Sequence, residues 1–240
     1  MGNIKKGVLL LGVSGSRLKN LSKITNKHLL PVGNKPMAQW NVEKLVNAGI
    51  KDILIVTGKE HLGDIVAYFG SGKDFGCKFT YKVQDEAGGI AQALQLVDGF
   101  IEQDEFFWVI LGDNIFNFEI PNLNVIRSIP PEIYLYTKAV EDPERFGVYY
   151  KGIIEEKPEN PKSNQAVLGV YGYKYNTDFK SIIFGLEKSD RGEIEVTDLN
   201  NQILDNSTFK TIQEITDEDW SDAGTLESYK KVNQWEWVWR

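Results

Sequence analysis

Apolar positions along this chain gather into short runs that alternate with stretches of helical spacing, and glycine or proline marks most of the joins. Val8-Leu9-Leu10-Leu11 is a continuous apolar run of strand length that stops at Gly12. The segment from Pro36 to Ala48 has helical character, with proline at its start and Gly49 just past its end. Asp52–Thr57 reads as a second buried strand, His61–Phe69 as a short helix stopped by Gly70, and Phe79–Val83 as a third strand. Ile90–Val97 follows as a helix and Phe106–Leu111 as a fourth strand, ending at Gly112-Asp113. Strands alternating with helices predict an α/β fold with right-handed crossovers and a mainly parallel sheet. Ligands of such sheets collect at the carboxyl ends of the strands, where Gly12–Arg17 and Gly112-Asp113-Asn114 both fall.

The second half is less regular. Glu132–Ala139, Ile153–Glu156, Val167–Tyr175 and Phe209–Ile215 read as strands. Thr177–Phe184 and Thr197–Leu204 read as short helices, and Gly224–Gln234 as a last one. Trp235-Glu236-Trp237-Val238-Trp239 alternates in a way that suits a strand edge or aromatic packing over a core, and packing is the favoured reading. No repeat, low-complexity tract or Pro/Ser-rich linker divides the chain.

Composition narrows the class of partner. With 240 residues the chain can bury a sizeable core. Its formal net charge of −7 argues against general nucleic-acid binding, which wants a basic face. It leaves small anionic ligands open, because a few placed cations set the local field. Cys77 is the single cysteine, so no intrachain disulfide forms and a reducing compartment is expected. No apolar run approaches the ~18 residues of a membrane span, nor is there a targeting signal. The expectation is a cytoplasmic protein with no membrane or nucleic-acid partner, a homo-oligomer being left open.

The candidate chemistry starts at Gly12-Val13-Ser14-Gly15-Ser16-Arg17-Leu18, followed by Lys27-His28-Leu29-Leu30-Pro31-Val32. A Gly/Ser loop after a strand lets backbone N–H groups close around anionic oxygens, and the two cations neutralise what the amides cannot. The spacing fits neither G-x-x-x-x-G-K-[ST] nor G-x-G-x-x-G. This pattern resembles the signature of the sugar-nucleotidyltransferases, especially the glucose-1-phosphate thymidylyltransferases. The resemblance runs on through Lys35-Pro36-Met37, through Gln84 with Gly88-Gly89-Ile90-Ala91-Gln92-Ala93, and through Leu111-Gly112-Asp113-Asn114. It continues in Asp142-Pro143-Glu144-Arg145-Phe146-Gly147-Val148, Glu155-Glu156-Lys157-Pro158, Arg191-Gly192-Glu193 with Thr197-Asp198, and Trp220-Ser221-Asp222-Ala223-Gly224-Thr225.

The resemblance implies a Rossmann-like three-layer α/β sandwich with a mainly parallel mixed central sheet. It implies one nucleotidyltransferase domain over residues 1–240, with a nucleotide-binding half (1–120) and a sugar-binding half (121–240). The implied reaction is Mg²⁺-dependent transfer of a nucleotidyl group from a nucleoside triphosphate, dTTP or UTP, to a hexose-1-phosphate, with release of pyrophosphate. Such chemistry asks for positioning and charge neutralisation rather than for a protein nucleophile. By analogy Arg17 holds the leaving portion of the triphosphate, Lys27 contacts oxygens around the α-phosphate, and Asp113 and Asp222 hold the magnesium. Gly12, Ser14, Gly15 and Ser16 line the phosphate loop, while Gln84 and Gly89 read the base. Gly147, Glu156, Lys157, Val167, Arg191 and Glu193 correspond to the sugar-phosphate positions. His28, where the family commonly has glutamine, reads as a loop residue.

Two loop residues depart from the family pattern: Leu11 stands for a small alanine and Val13 for a glycine. A β-branched residue forced to positive φ costs at least ~1–2 kcal/mol. An alternative therefore stands beside the enzyme, a nucleotide-sugar-binding homologue whose turnover is impaired by these two side chains.

Overall fold

The computed structural model describes residues 5–12, 18, 25–123 and 130–240. Contacts divide the chain into two compact units assembled from interleaved segments. One comprises Met1–Ala87, Ile110–Ser128 and Glu218–Arg240; the other comprises Gly88–Val109 and Ile129–Asp217.

The first unit is built on β1 (Lys6–Leu11), a short β2/β3 ribbon (Pro31–Val32 and Lys35–Pro36), α1 (Met37–Asn47), β4 (Asp52–Gly58), α2 (Leu62–Phe69) and β5 (Lys78–Gln84). β1 pairs in parallel with β4, and β4 with β5, so that Leu9 faces Ile55 and Ile55 faces Tyr81. Every residue from Val8 to Leu11 and from Ile53 to Val56 is buried. This is why both strands read as unbroken apolar runs: a parallel strand covered on both faces has no solvent side to alternate with. α1 is entered from Pro36, its N-cap, and ends before Gly49 at φ +86°. Its buried face (Met37, Ala38, Asn41, Val42, Leu45) reaches β1 where Gly7 has no side chain, a Cβ there lying 3.1 Å from Leu45.

The second unit carries α3 (Ile90–Gln95) and the first residues of β6 (Phe106–Leu111), whose last two belong to the first unit. β8 (Ile133–Ala139) pairs antiparallel with β11 (Gln165–Lys174) and parallel with β12 (Lys210–Ile215). β9 (Gly147–Tyr150) and β10 (Ile153–Glu156) form a hairpin, joined to β11 by the Ala166/Val148 pair. α4 (Thr177–Gly185) and α5 (Val196–Asn206) complete the unit. Gly172 on β11 leaves room for the rings of Phe106 and Trp108, which a Cβ would meet at 2.4 and 3.0 Å. Asn201 on α5 closes the outer backbone of β10, donating to Ile154 O and accepting from Ile154 N, both at 2.8 Å. The fold is α/β with a mixed sheet flanked by helices, as expected.

Two short pieces complete the first unit. β7 (Asn114–Phe116) pairs antiparallel with β13 (Trp220–Asp222), and α6 (Leu226–Val232) follows. α6 is shorter than the expected Gly224–Gln234, because Thr225 caps it through a reciprocal box with Ser228. The tryptophan-rich end is a 3₁₀ turn over Glu236–Trp239 and not a strand edge. It buries Val238 against Val32, Met37, Ile115, Ala223 and Val232, with Trp40, Trp235 and Trp237 packed around them. The β2/β3 turn meets it directly: Asn34 N donates to Val238 O, and Gly33 has φ +62°. A Cβ on Gly33 would lie 1.8 Å from that carbonyl oxygen. Gly33→Ala should therefore destabilise the protein by about 2–4 kcal/mol through left-handed strain and overpacking. Urea unfolding read by tryptophan fluorescence checks this; an unchanged midpoint would show that the turn yields freely.

Candidate active site

In the first unit, Lys27 opens a 3₁₀ turn (Lys27–Leu29) that Asn26 caps and ties down. Asn26 Oδ1 accepts from His28 N at 2.9 Å and faces His28 Nδ1 at 2.7 Å, while Asn26 Nδ2 donates to Leu11 O at the end of β1. The turn aims the Lys27 ammonium inward. Its Nζ lies 2.6 Å from Asp113 Oδ2, and the lysine side chain is only 2% exposed. Asp113 follows β6, and β7 begins at its neighbour Asn114, whose Nδ2 donates to Asp113 Oδ1 at 3.1 Å. Asp222 arrives from the far end of the chain on β13, directly opposite Asn114, and Ala223 N donates to Asp113 O. A Cβ built on Gly224 would lie 3.2 Å from Asp113 Oδ2 and 3.6 Å from Asp222 Oδ2, so the two carboxylates converge beside one glycine.

The electrostatics follow from this packing. Burial opposes ionisation of Asp113, but the Lys27 charge and the hydrogen bonds from Lys27 and Asn114 outweigh it. They hold the carboxyl well below the usual carboxylate range. His28 is driven the other way: burial, then the neighbouring Lys27 charge, push the imidazole down to about 3. Within that turn it is a fully buried neutral ring, and its Nε2 has no partner among the described residues. Since Asn26 spends its amide N–H on Leu11 O, its oxygen faces the ring, and Nδ1 carries the imidazole proton.

Gly12 and Gln84 also meet. Gln84, at the end of β5, reaches across Gly58 so that a Cβ on Gly12 would lie 2.8 Å from Gln84 Oε1. Leu11, the first departure from the family pattern, is wholly buried and lies over Gly112, where a Cβ would come within 2.3 Å of it. Val13, Ser14, Gly15, Ser16 and Arg17 lie outside the described residues.

The second unit gathers its own constellation. Gly147 pairs with Glu156 across the β9/β10 hairpin, and Thr197 Oγ1 donates to Glu156 Oε2 at 2.5 Å. Arg191 Nη2 donates to Glu156 Oε1 at 3.0 Å, and Lys157 Nζ lies 3.4 Å from the same oxygen. Gly89, at φ +100°, caps α3 beside Glu193 and Ile194. Val167 is placed on β11 opposite Thr137, before the register shift of that strand.

Sequence reasoning passed over several residues here. Glu195, buried, grips Arg191 side-on, taking Nε at 3.1 Å and Nη2 at 2.8 Å, and also accepts from Ser189 Oγ. No clear signal of this pair stands in the sequence, since residues 191–195 lie before the helix that starts at Val196 and have no fixed period. Asn26 left no such local signal, and Asn114 and Trp220, though inside quoted motifs, gave no sign of their partners.

Comparison with known proteins gives the family. Residues 6–236 match the family model described as nucleotidyl transferase. Glucose-1-phosphate thymidylyltransferase of Neisseria meningitidis is 36% identical over 93% of this chain and 79% of its own length. A nucleotidyltransferase of low-salt glycan biosynthesis from Haloferax volcanii is 33% identical over 95% of this chain and 65% of its own. Among solved structures, a Bacillus anthracis protein provisionally named glucose-1-phosphate thymidylyltransferase, crystallised with sucrose, superposes with a TM-score of 0.86. It is 47% identical, over 95% of this chain and 94% of that one. UDP-glucose pyrophosphorylase, at 23% identity and a TM-score of 0.80, shares the fold. The chain belongs to the nucleotidyl transferase family, as an enzyme of the glucose-1-phosphate thymidylyltransferase type.

Proposed function

We propose that this chain transfers a nucleotidyl group from dTTP, with UTP the next candidate, to a hexose-1-phosphate and releases pyrophosphate in a Mg²⁺-dependent reaction. The observation that carries the reading is the buried Lys27–Asp113 pair with Asp222 brought beside it. The donor set fits magnesium. It consists of the Asp113 and Asp222 carboxylate oxygens converging beside Gly224. That suits an ion usually bound by one or two carboxylates together with phosphates and water. Magnesium, when bound by Asp113 and Asp222, supplies charge neutralisation to the triphosphate oxygens.

The remaining work falls to the chain. Lys27 spends one N–H on Asp113 and has two further donors for phosphate oxygens as charge develops there. Asp113, kept ionised, fixes the ammonium in place. Gln84 gives and accepts hydrogen bonds at a pyrimidine edge, and Gly12, lacking a side chain, leaves room for the Gln84 amide beside it. Arg191 and Lys157 suit the phosphate of the hexose-1-phosphate, and Glu156 suits its hydroxyls. The thymidylyltransferase names of the relatives favour dTTP and glucose-1-phosphate. The impaired-homologue alternative loses one of its two supports, because the bulk of Leu11 is taken up inside the fold against Gly112.

A pyrophosphate-release screen of triphosphates against sugar-1-phosphates with magnesium tests the reading; silence with every pair would overturn it. Lys27→Ala, Asp113→Asn and Asp222→Asn should each lower kcat about 100- to 1,000-fold, and full activity in all three would remove them from the mechanism. Glu195→Gln should raise KM for the hexose-1-phosphate about tenfold and leave KM for the triphosphate unchanged; equal shifts in both would argue for a general structural role.

The buried imidazole sets an acid limit on stability. Unfolded, His28 takes a proton near its ordinary 6.5; folded, it stays neutral down to about 3. Its contribution is therefore present above pH 6.5 and drains away as pH falls, and Asp113, also depressed, adds a loss of the same sign at lower pH. Melting temperature should decline from pH 7 to 4.5, and His28→Gln should flatten that slope. Parallel profiles for the two proteins would refute the assignment.

A further inference from the structure

Lys27 and Asp222 reach the site from distant parts of the sequence, and one helix is fastened near both. α6 is capped by Thr225, which closely follows Asp222 on β13. Its other end is tied to the β2/β3 ribbon, which directly follows the Lys27 turn. Tyr229 Oη donates to Pro31 O at 2.6 Å, and Asn233 Oδ1 accepts from Gly33 N at 2.9 Å. Tyr229 and Asn233 are one helical turn apart, so both side chains address the ribbon from the same face. Little slack separates that ribbon from the lysine. Leu30 N donates to Lys27 O at 3.1 Å, and Leu30 O accepts from Met37 N at 3.0 Å.

The residue type at 233 follows from its two partners. A backbone N–H only donates and a backbone carbonyl only accepts. Asn233 meets one of each, because its Nδ2 donates to Tyr229 O at 2.9 Å. The helix therefore aims the amide oxygen at Gly33. A leucine at this position would keep the shape and leave Gly33 N without that acceptor. An aspartate would keep the acceptor and lose only the bond inside the helix.

We infer that Asn233, with Tyr229 beside it, is a positioning residue for the reaction: it holds the backbone from which Lys27 reaches the site. Asp113 holds the tip of the lysine and Asn26 the near side of its turn. Asn233 and Tyr229 hold the far side, and they do so from the helix that Asp222 leads into. The inference rests on the proposed part played by Lys27.

The test sets Asn233→Leu against Asn233→Asp. A displacement of about 1 Å in a reacting group can cost about 100-fold in rate. Asn233→Leu should lower kcat about 10- to 100-fold, with KM for both substrates within about twofold. Asn233→Asp should keep kcat within about threefold of the natural enzyme, since the acceptor for Gly33 N remains. Combined with Lys27→Ala, Asn233→Leu should cause no further loss, because residues that act as a unit are not additive. Losses that multiply would overturn the inference, since the helix would then act on something other than the lysine. Natural kcat in Asn233→Leu would overturn it as well, and so would an Asn233→Asp as slow as the leucine variant. If Asn233→Leu does not fold, Tyr229→Phe decides, which removes a single hydroxyl. A kcat lowered about tenfold and no further loss on top of Lys27→Ala support the inference, and natural kcat overturns it. Lys27→Ala alone separates the two levels. Full activity there would bring down the reading of Lys27 itself, whereas a slow Lys27→Ala beside a fully active Asn233→Leu would bring down only the role of Asn233.

Discussion

A buried lysine ammonium held 2.6 Å from a part-buried aspartate is the interaction to which the first unit is fitted. Burying two charges is costly unless they are paired and their remaining atoms are satisfied. Here each requirement is met from a different part of the sequence. Asn26 ties the lysine turn to the end of β1, Asn114 satisfies the free aspartate oxygen, and the β13 strand supplies the backbone donor of Ala223. Such a pair contributes little as a source of stability. On the proposed reading, a device that holds an ammonium at the carboxyl ends of parallel strands would provide what phosphoryl chemistry asks of a protein.

Much of this was legible in the sequence. Fully buried parallel strands announce themselves as unbroken apolar runs, and the proline and glycine at the two ends of α1 mark its limits. β1, β4, β5, β6 and α1 therefore fall where periodicity places them. β7 and β13 do not, because three residues carry no period and their partnership spans about a hundred positions of chain. The approach of Asp222 to Asp113 depends on that ribbon, so it was open to family resemblance and closed to local pattern.

His28 shows a different kind of limit. Nothing near it in sequence says that it is buried; the space it occupies exists because Gly112, far along the chain, has no side chain, a Cβ there falling 2.7 Å from the imidazole. Glu195 shows a third. The sequence offers two glutamates in Arg191-Gly192-Glu193-Ile194-Glu195, and only the fold decides that the second clasps the guanidinium while the first lies beside Gly89. Local chemistry nominates residue types. Which member of a pair is used is a property of packing.

The amide of Asn201 gives β10 a further quality. Hydrogen-bonding capacity along a sheet margin is ordinarily an invitation to other chains, since any extended peptide can dock there. At Ile154 both main-chain groups are already spoken for by α5. A stray strand seeking to extend the sheet at that residue would first have to prise the helix away, so the margin is sealed against accretion by a single side chain rather than by charge or proline.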